Sequence, residues 1–405
     1  MRINEIIYSN EGYIPMENQK LYDDWTGNVI RDASLRSLDP EAVRAARAIF
    51  SSSFRDRVDE CAQWDDETFL TRTGVLKRGR VTVSAMILLG KVSEPFIPSD
   101  IRIRWRLYDT SGRLEDERIF DEPMILAVSH AASVIRNSSV RIEGQNPRYV
   151  SAYRIKTLEE ALYNAVAHQD YGESSMIDLI ERDRESVSVI SKGSFPDYPP
   201  ESFVLSAAPS IKRRNPFLCK AMAGIGLAPM SMSGIKGMYL SQAYRHYPMP
   251  RYSITDGSVT VTFPGTRYGN YVRIMDARDD LDIETIMDLD RISRGLYVQD
   301  RRMAILERRG LLRVSDGIPH LIFDDDMPHI RLFKGTDSEA VLDFIREHGC
   351  VRRSDVVEII SARSSKDLTS EQLSVKATNL LQTMRKNGAI RKSDGNTRSA
   401  TYVLN

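Results

Sequence analysis

Three stretches between residues 101 and 265 can bury an apolar face only as strands. IRIRWRLYD (101–109) alternates apolar and basic residues, so its apolar side chains share one face at a period of two. MIDLIERDRESVSVIS (176–191) predicts two strands around a polar turn, and RYSITDGSVTVTFPG (251–265) predicts a hairpin bending at Asp256-Gly257. Helical spacing separates them in EPMILAVSHAASVIR (122–136), over 157–168, and in the apolar parts of 207–226 and 231–248. Strands and helices mixed within one layer predict an α+β fold.

A chain of 405 residues is long enough for two to four domains with real cores. Apolar residues make up 41% and charged residues 28%, with a formal net charge of zero, so attraction to nucleic acid or membrane must come from local patches. Cys61, Cys219 and Cys350 are widely spaced, odd in number and without a CxxC, which argues against a disulfide framework or a cysteine zinc site and fits a reducing cytoplasm. No apolar run approaches the roughly 18–20 residues a membrane helix needs, so no membrane partner is expected. No GxxxxGK[ST] occurs, which excludes a P-loop motor.

Residues 1–37 hold strand-like IIYSNEGYIPM without strands to pair with. A connecting region over 38–150 opens at Asp39-Pro40, a cap followed by proline at the first helical position. A core over 151–275 follows, including the Pro/Gly/Ser-rich loop at 191–203. A short winged-helix-like unit is expected over 276–334, where Asp324-Asp325-Asp326 reads as a solvated linker. A C-terminal winged helix over 335–405 would comprise three helices and a two-stranded wing.

Within the core, EEALYNAVAHQDYGESS (159–175) places Glu160, Asn164 and His168 at i, i+4 and i+8 on one helix face. A carboxylate and an amide one turn apart can orient a water and ligate Mg²⁺ on a nucleotide, because Mg²⁺ prefers hard oxygens and takes only one or two from protein. The plainer reading is a polar stripe on a surface helix.

ALYNAVAHQDY resembles the "E-alvNAl-HRDY" signature of the bacterial RecG-like transcriptional regulators, which pair a Schlafen-type AlbA domain with an ATP-binding region of the GHKL class. LDPEAVRAARAIF, DDETFLTRTGVLKRGRVTVSAMILLGK, RNPFLCKAMAGIGLAPMSMSGIKGM and RYSITDGSVTVTF resemble further segments of that family in the same order, over about 38–265. The resemblance implies a GHKL-like (Bergerat-type) α/β sandwich core that binds ATP and Mg²⁺. It implies Glu160 as the water-activating base, Asn164 as the Mg²⁺ ligand, and His168, Gly193, Arg214, Gly234 and Gly237 around the nucleotide. Gln169 replaces the family arginine, Ser191 stands where an adenine-reading aspartate is expected, and Met232 replaces the first glycine of the phosphate loop. Residues 1–37 resemble the last strand and exit helix of the AlbA domain. The family thus implies a missing N-terminal half or an AlbA-containing partner, and a homo-oligomer is a further expectation.

The tail from Glu339 to Asn405 carries eleven Lys/Arg against eight Asp/Glu, so distribution matters more than net charge. Lys376, Arg385 and Lys386 lie on the predicted third helix, and Arg391, Lys392 and Arg398 on the predicted wing. In a winged helix these two elements enter the groove and touch the backbone. The leading expectation is a cytoplasmic DNA-binding regulator with a degenerate ATP-binding core. The rivals are an active ATPase of a mobile-element or phage-defence system and a non-catalytic assembly module.

Overall fold

The computed structural model describes residues 8–9, 12–13, 24–96, 100–142, 148–173, 175–195, 199–205, 214–227, 233–255, 257–267, 270–278, 280–315, 317–322, 336–348, 350–363, 370–394 and 400–405. A minimal ladder pairs β1 (Tyr8–Ser9) with β2 (Gly12–Tyr13). Helix α1 (Pro40–Ser53) starts as its sequence predicts: the Asp39 carboxylate accepts from the amides of Glu41 and Ala42, and Pro40 opens the first turn. Helices α2 (Val58–Ala62), α3 (Asp66–Arg72) and α4 (Val83–Leu89) follow. All seven residues of α4 are buried, which explains why its sequence shows neither a helical nor a strand period.

Strand β3 (Ile103–Tyr108) pairs with β4 (Leu114–Phe120), and α5 (Met124–Ser133) follows. A short ladder joins β5 (Ser139–Ile142) to β6 (Arg148–Ser151). Next come α6 (Ile155–His168), β7 (Ile177–Arg182), β8 (Ser186–Lys192), α7 (Ser202–Leu205), α8 (Pro216–Gly224), α9 (Ser233–Tyr244), β9 (Arg251–Thr255) and β10 (Ser258–Pro264). The chain then forms α10 (Asn270–Ala277), α11 (Ile283–Ser293), α12 (Asp300–Arg308), β11 (Leu312–Ser315) and β12 (Ile318–Leu321). It closes with α13 (Asp337–His348), β13 (Val351–Arg352), α14 (Arg353–Arg363), α15 (Ser370–Lys386), β14 (Ile390–Asp394) and β15 (Thr401–Leu404).

The fold is α+β and divides into two compact units, each discontinuous in sequence: 1–135 with 155–242 and 249–264, and 136–154 with 243–248 and 265–405. The first is built on a six-stranded mixed sheet of order β4-β3-β7-β8-β10-β9, in which β3 and β7 are parallel and the other pairs antiparallel. Strand alternation sets the sheet's two faces. Ile103, Trp105, Leu107, Ile177 and Leu179 are buried, and α5 and α6 pack against this sheet. On β3 and β7 the intervening positions are half-buried, apart from exposed Arg182, and hold an ion-paired cluster: Asp178 accepts from Arg104 Nε at 2.7 Å and lies 3.1 Å from Arg106 Nη2. Edge strand β4 is mostly exposed and charged, a composition that discourages edge-to-edge pairing.

In the second unit, α13, α14 and α15 pack around Val341, Ile345, Ile359, Ile360, Leu381 and Met384, beside a three-stranded antiparallel sheet of order β13-β15-β14. Ala377, Leu381 and Met384, spaced by four and three residues, give α15 its inward stripe.

Candidate functional site

The candidate site is organised by α6. Leu158, Leu162, Ala165 and Val166 are buried and fix the helix's rotation, which sends Glu160 and Asn164 toward the start of α9. A Cβ on Gly234 would lie 3.2 Å from both Asn164 Nδ2 and Glu160 Oε1, and one on Gly237 3.2 Å from Glu160 Oε2. The four residues expected from sequence are therefore together. One feature differs from the sequence expectation of a phosphate loop: Gly234 and Gly237 lie inside α9, because the described helix already begins at Ser233. The glycines serve close approach, since any side chain there would press on the α6 stripe.

Hard oxygens from Glu160 and Asn164 next to glycine backbone at a helix start fit a magnesium-bound phosphate in donor chemistry. The Glu160 carboxylate already sits near this end of α9, where the helix dipole is positive and favours an anion. Among the described residues no group of three or more His, Cys, Asp and Glu could hold a metal ion. The pocket for a base fits less well. Ser191 is buried on β8 in antiparallel register with Val259 and carries no carboxylate.

The second half of the site lies at the C-terminal end of α6. Gly193 takes φ +136, and a Cβ there would meet the His168 carbonyl oxygen at 3.0 Å and Arg214 Nε at 3.5 Å. Arg214 donates to Asp170 Oδ2 at 2.6 Å and to Ser194 Oγ at 3.1 Å. His168, Gly193 and Arg214 are thus neighbours, and it is the backbone carbonyl of His168 that faces Gly193. Gln169 is fully enclosed: its amide donates to the Ser175 carbonyl and its side-chain oxygen accepts from the Lys192 amide. Asn215 donates to the carbonyls of Ala167 and Gln169, which satisfies the end of α6. Tyr171 donates to the Val166 carbonyl, and burial pushes its hydroxyl far above the ordinary phenol range. Burial likewise raises Tyr252, with the Glu160 charge adding to the effect.

Sequence reasoning missed Asp24. Its carboxylate accepts from the Phe217 amide, in the first turn of α8, and from Thr26 Oγ1 at 2.5 Å, while Thr26 Oγ1 accepts from the Leu218 amide at 3.2 Å. The 3-10 turn Trp25–Gly27 is thereby pinned to the helix that begins beside Arg214, and Trp25 stacks edge-on to Tyr171. An aspartate nearly two hundred residues from the helix it caps leaves no local signal.

The expected nucleic-acid residues separate into two groups. Arg385 and Lys386 in the last turn of α15 and Arg391 and Lys392 on β14 line one open depression, together with Gln382 and Asn405. Lys376 instead lies 3.0 Å from Asp337 Oδ2 in an ion pair. Of the other α15 residues, Ser374 Oγ accepts from Arg353, and the Thr378 hydroxyl donates to the Ser374 carbonyl within its own helix. Arg398 lies outside the described residues, as do Lys212, Arg213, Met232, Asp256 and the Asp324–Asp326 run.

Residues 15–95 match a family model described as a domain of unknown function, DUF8451. No curated protein matches the chain. Among solved structures, the DIP2311 protein from Corynebacterium diphtheriae superposes with a TM-score of 0.51 at 18% identity, over 95% of this chain and 70% of that chain. At that identity the likeness is one of fold: this chain shares its α+β architecture with DIP2311 over nearly its whole length.

Proposed function

We propose that the chain is a DNA-binding regulator of the RecG-like type, with a winged helix formed by α13–α15 and the β13-β15-β14 sheet. The observation that carries this reading is the meeting of Arg385, Lys386, Arg391 and Lys392 around one depression. Cations in the last turn of a helix are also favoured by its dipole, which accounts for Arg385 and Lys386. The dipole gives no reason for Arg391 and Lys392 to project from the adjacent strand, whereas a phosphate backbone does. The test is an electrophoretic shift titration at several salt concentrations. Salt-sensitive affinity that weakens in an Arg391→Ala/Lys392→Ala variant supports the reading; absence of any DNA affinity at low salt refutes it.

A second reading concerns the first unit, taken as a GHKL-like core in which ATP is an effector. The juxtaposition of Glu160 and Asn164 with Gly234 and Gly237 favours it. Bound ATP with Mg²⁺ would supply a scissile phosphoanhydride and a Lewis acid. Asn164 would present its amide oxygen to the metal, and Glu160 would orient a water toward the terminal phosphate. The glycines would let the α9 backbone approach it, and Arg214 would offer a guanidinium beside Gly193. Calorimetry with Mg·ATP separates the alternatives. Binding lost in Asn164→Ala supports a nucleotide site, and no binding by the wild type leaves Glu160 as an anchor for the end of α9.

A further inference from the structure

Helix α15 carries a second stripe, opposite the one that faces the core. Ala377, Leu381 and Met384 point inward, and Val375, Asn379, Gln382 and Lys386, at i, i+4, i+7 and i+11, fall on the opposite face. All four are exposed, Val375 at 59%. The neighbouring polar residues off this stripe are already engaged: Ser374 accepts from Arg353, Thr378 donates to the Ser374 carbonyl, and Lys376 is paired with Asp337. The side-chain amides of Asn379 and Gln382 have no hydrogen-bond partner among the described residues.

The stripe runs into the cationic depression. Gln382 and Lys386 line it with Arg385, Arg391 and Lys392, and among the described residues none of these four cations makes an ion pair. Their charge complements a polyanion laid along the stripe. Val375 and Asn379 are poor helix formers, and Val375 gains no burial where it stands. Against a nucleic-acid groove these residue types have a use. An amide donates to adenine N7 and accepts from the N6 amino group, so Asn and Gln hold adenine by two bonds, while an apolar side chain packs on the thymine methyl. Asn379 and Gln382 stand about 4.5 Å apart along the helix axis and Val375 about 6 Å before Asn379, while base pairs stack about 3.4 Å apart, so the three side chains reach neighbouring pairs.

Building on the DNA-binding reading of this unit, we infer that the outward face of α15 reads A·T base pairs in the major groove. Asn379 and Gln382 each engage an adenine edge, Val375 packs against a thymine methyl, and Lys386 with the other cations of the depression holds the flanking phosphates. A duplex held through phosphates alone would be gripped without regard to sequence. The minor groove offers this stripe no such role: it presents no thymine methyl, and at a width of about 6 Å it does not admit a helix.

The test is selection of duplexes from a random pool by the full-length wild type and by Asn379→Ala/Gln382→Ala, followed by anisotropy titration of the selected duplex at fixed salt. Alanine is the strongest helix former and both positions are exposed, so the variant keeps its helix. The expected result is a run of A·T positions in the wild-type consensus that becomes degenerate in the variant. Each two-bond pair should favour adenine by about 5- to 150-fold. Replacing adenine by 7-deazaadenine at those positions removes the N7 acceptor and should weaken the wild type several-fold while leaving the variant unchanged. Duplex binding without A·T selection, an unchanged consensus in the variant, or indifference of the wild type to 7-deazaadenine overturns this inference and leaves the phosphate contacts standing. Absence of any DNA affinity overturns both.

Discussion

Gly224 offers the sharpest stability test of the packing that holds the site. It is the last residue of α8, the helix that begins just after Arg214 and Asn215. A Cβ built there would lie 1.8 Å from the Thr73 carbonyl oxygen and 2.8 Å from its carbonyl carbon. Real Cβ contacts essentially never fall below 3.0 Å, so the two backbones would have to part by 3.0 − 1.8 = 1.2 Å. Thr73 cannot yield easily. It is buried, its amide bonds the Phe69 carbonyl at 3.0 Å, and its hydroxyl bonds the carbonyls of Phe69 and Leu70. In an ordinary helix Gly→Ala gains about 0.5–1 kcal/mol, while overpacking a closed contact costs about 1–3 kcal/mol and more when backbone must move. Gly224→Ala is therefore expected to destabilise the first unit by about 2 kcal/mol. Trp25, Trp64 and Trp105 all lie in this unit, so tryptophan fluorescence during urea unfolding reports it selectively. With m of about 3 kcal/mol/M, the midpoint should fall by roughly 0.7 M. Gly237→Ala is the control: its Cβ meets a Glu160 carboxylate oxygen at 3.2 Å, a side chain that can turn away, so the change should stay within about 1 kcal/mol. A Gly224→Ala protein as stable as wild type, or more so, would refute the reasoning.

Asp24→Ala removes the acceptor for the Phe217 amide and the Thr26 hydroxyl and should cost the first unit about 1–3 kcal/mol in the same urea assay. Removing Arg391 and Lys392 together should lower the magnitude of the log–log salt slope of DNA binding by about 2, uniformly across sequences, if both contact phosphates. Lys376→Ala should change that slope less, because its ammonium is already paired with Asp337. Acid titration tests Asp280, whose carboxyl is held well below the usual range by hydrogen bonds from Arg278 and then Arg309. A depressed carboxyl contributes stability above its unfolded value and loses it as pH falls. Circular dichroism should therefore show a small gap between wild type and Asp280→Asn at pH 7 that narrows below about pH 4. A gap that widens on acidification would contradict the assignment.

The strands at 103–108, 177–182, 186–192 and 258–264 could be read from the chain because one face of each is the more buried, and a one-sided burial writes a period of two into the sequence. The mostly exposed β9 was readable only as the partner of β10 across an Asp-Gly turn signal. The Asp39-Pro40 helix start and the α6 stripe were readable for the same kind of reason: capping and helix-face geometry act within a few residues. Where burial is uniform the signal vanishes. Strand β4, mostly exposed as LEDERIF, shows no alternation and was not anticipated, and α4, buried throughout, could not be told from a strand. Tertiary structure alone decided that β3 pairs in parallel with β7 across some seventy residues, because ladder hydrogen bonds join backbone atoms and carry no residue code. It alone set Asp24 on the Phe217 amide, Asp170 on Arg214, and Arg267 and Asp276 on His246. Residue type fixes what each of these groups can donate or accept. Which partner it meets depends on chain paths that converge only when the cores close.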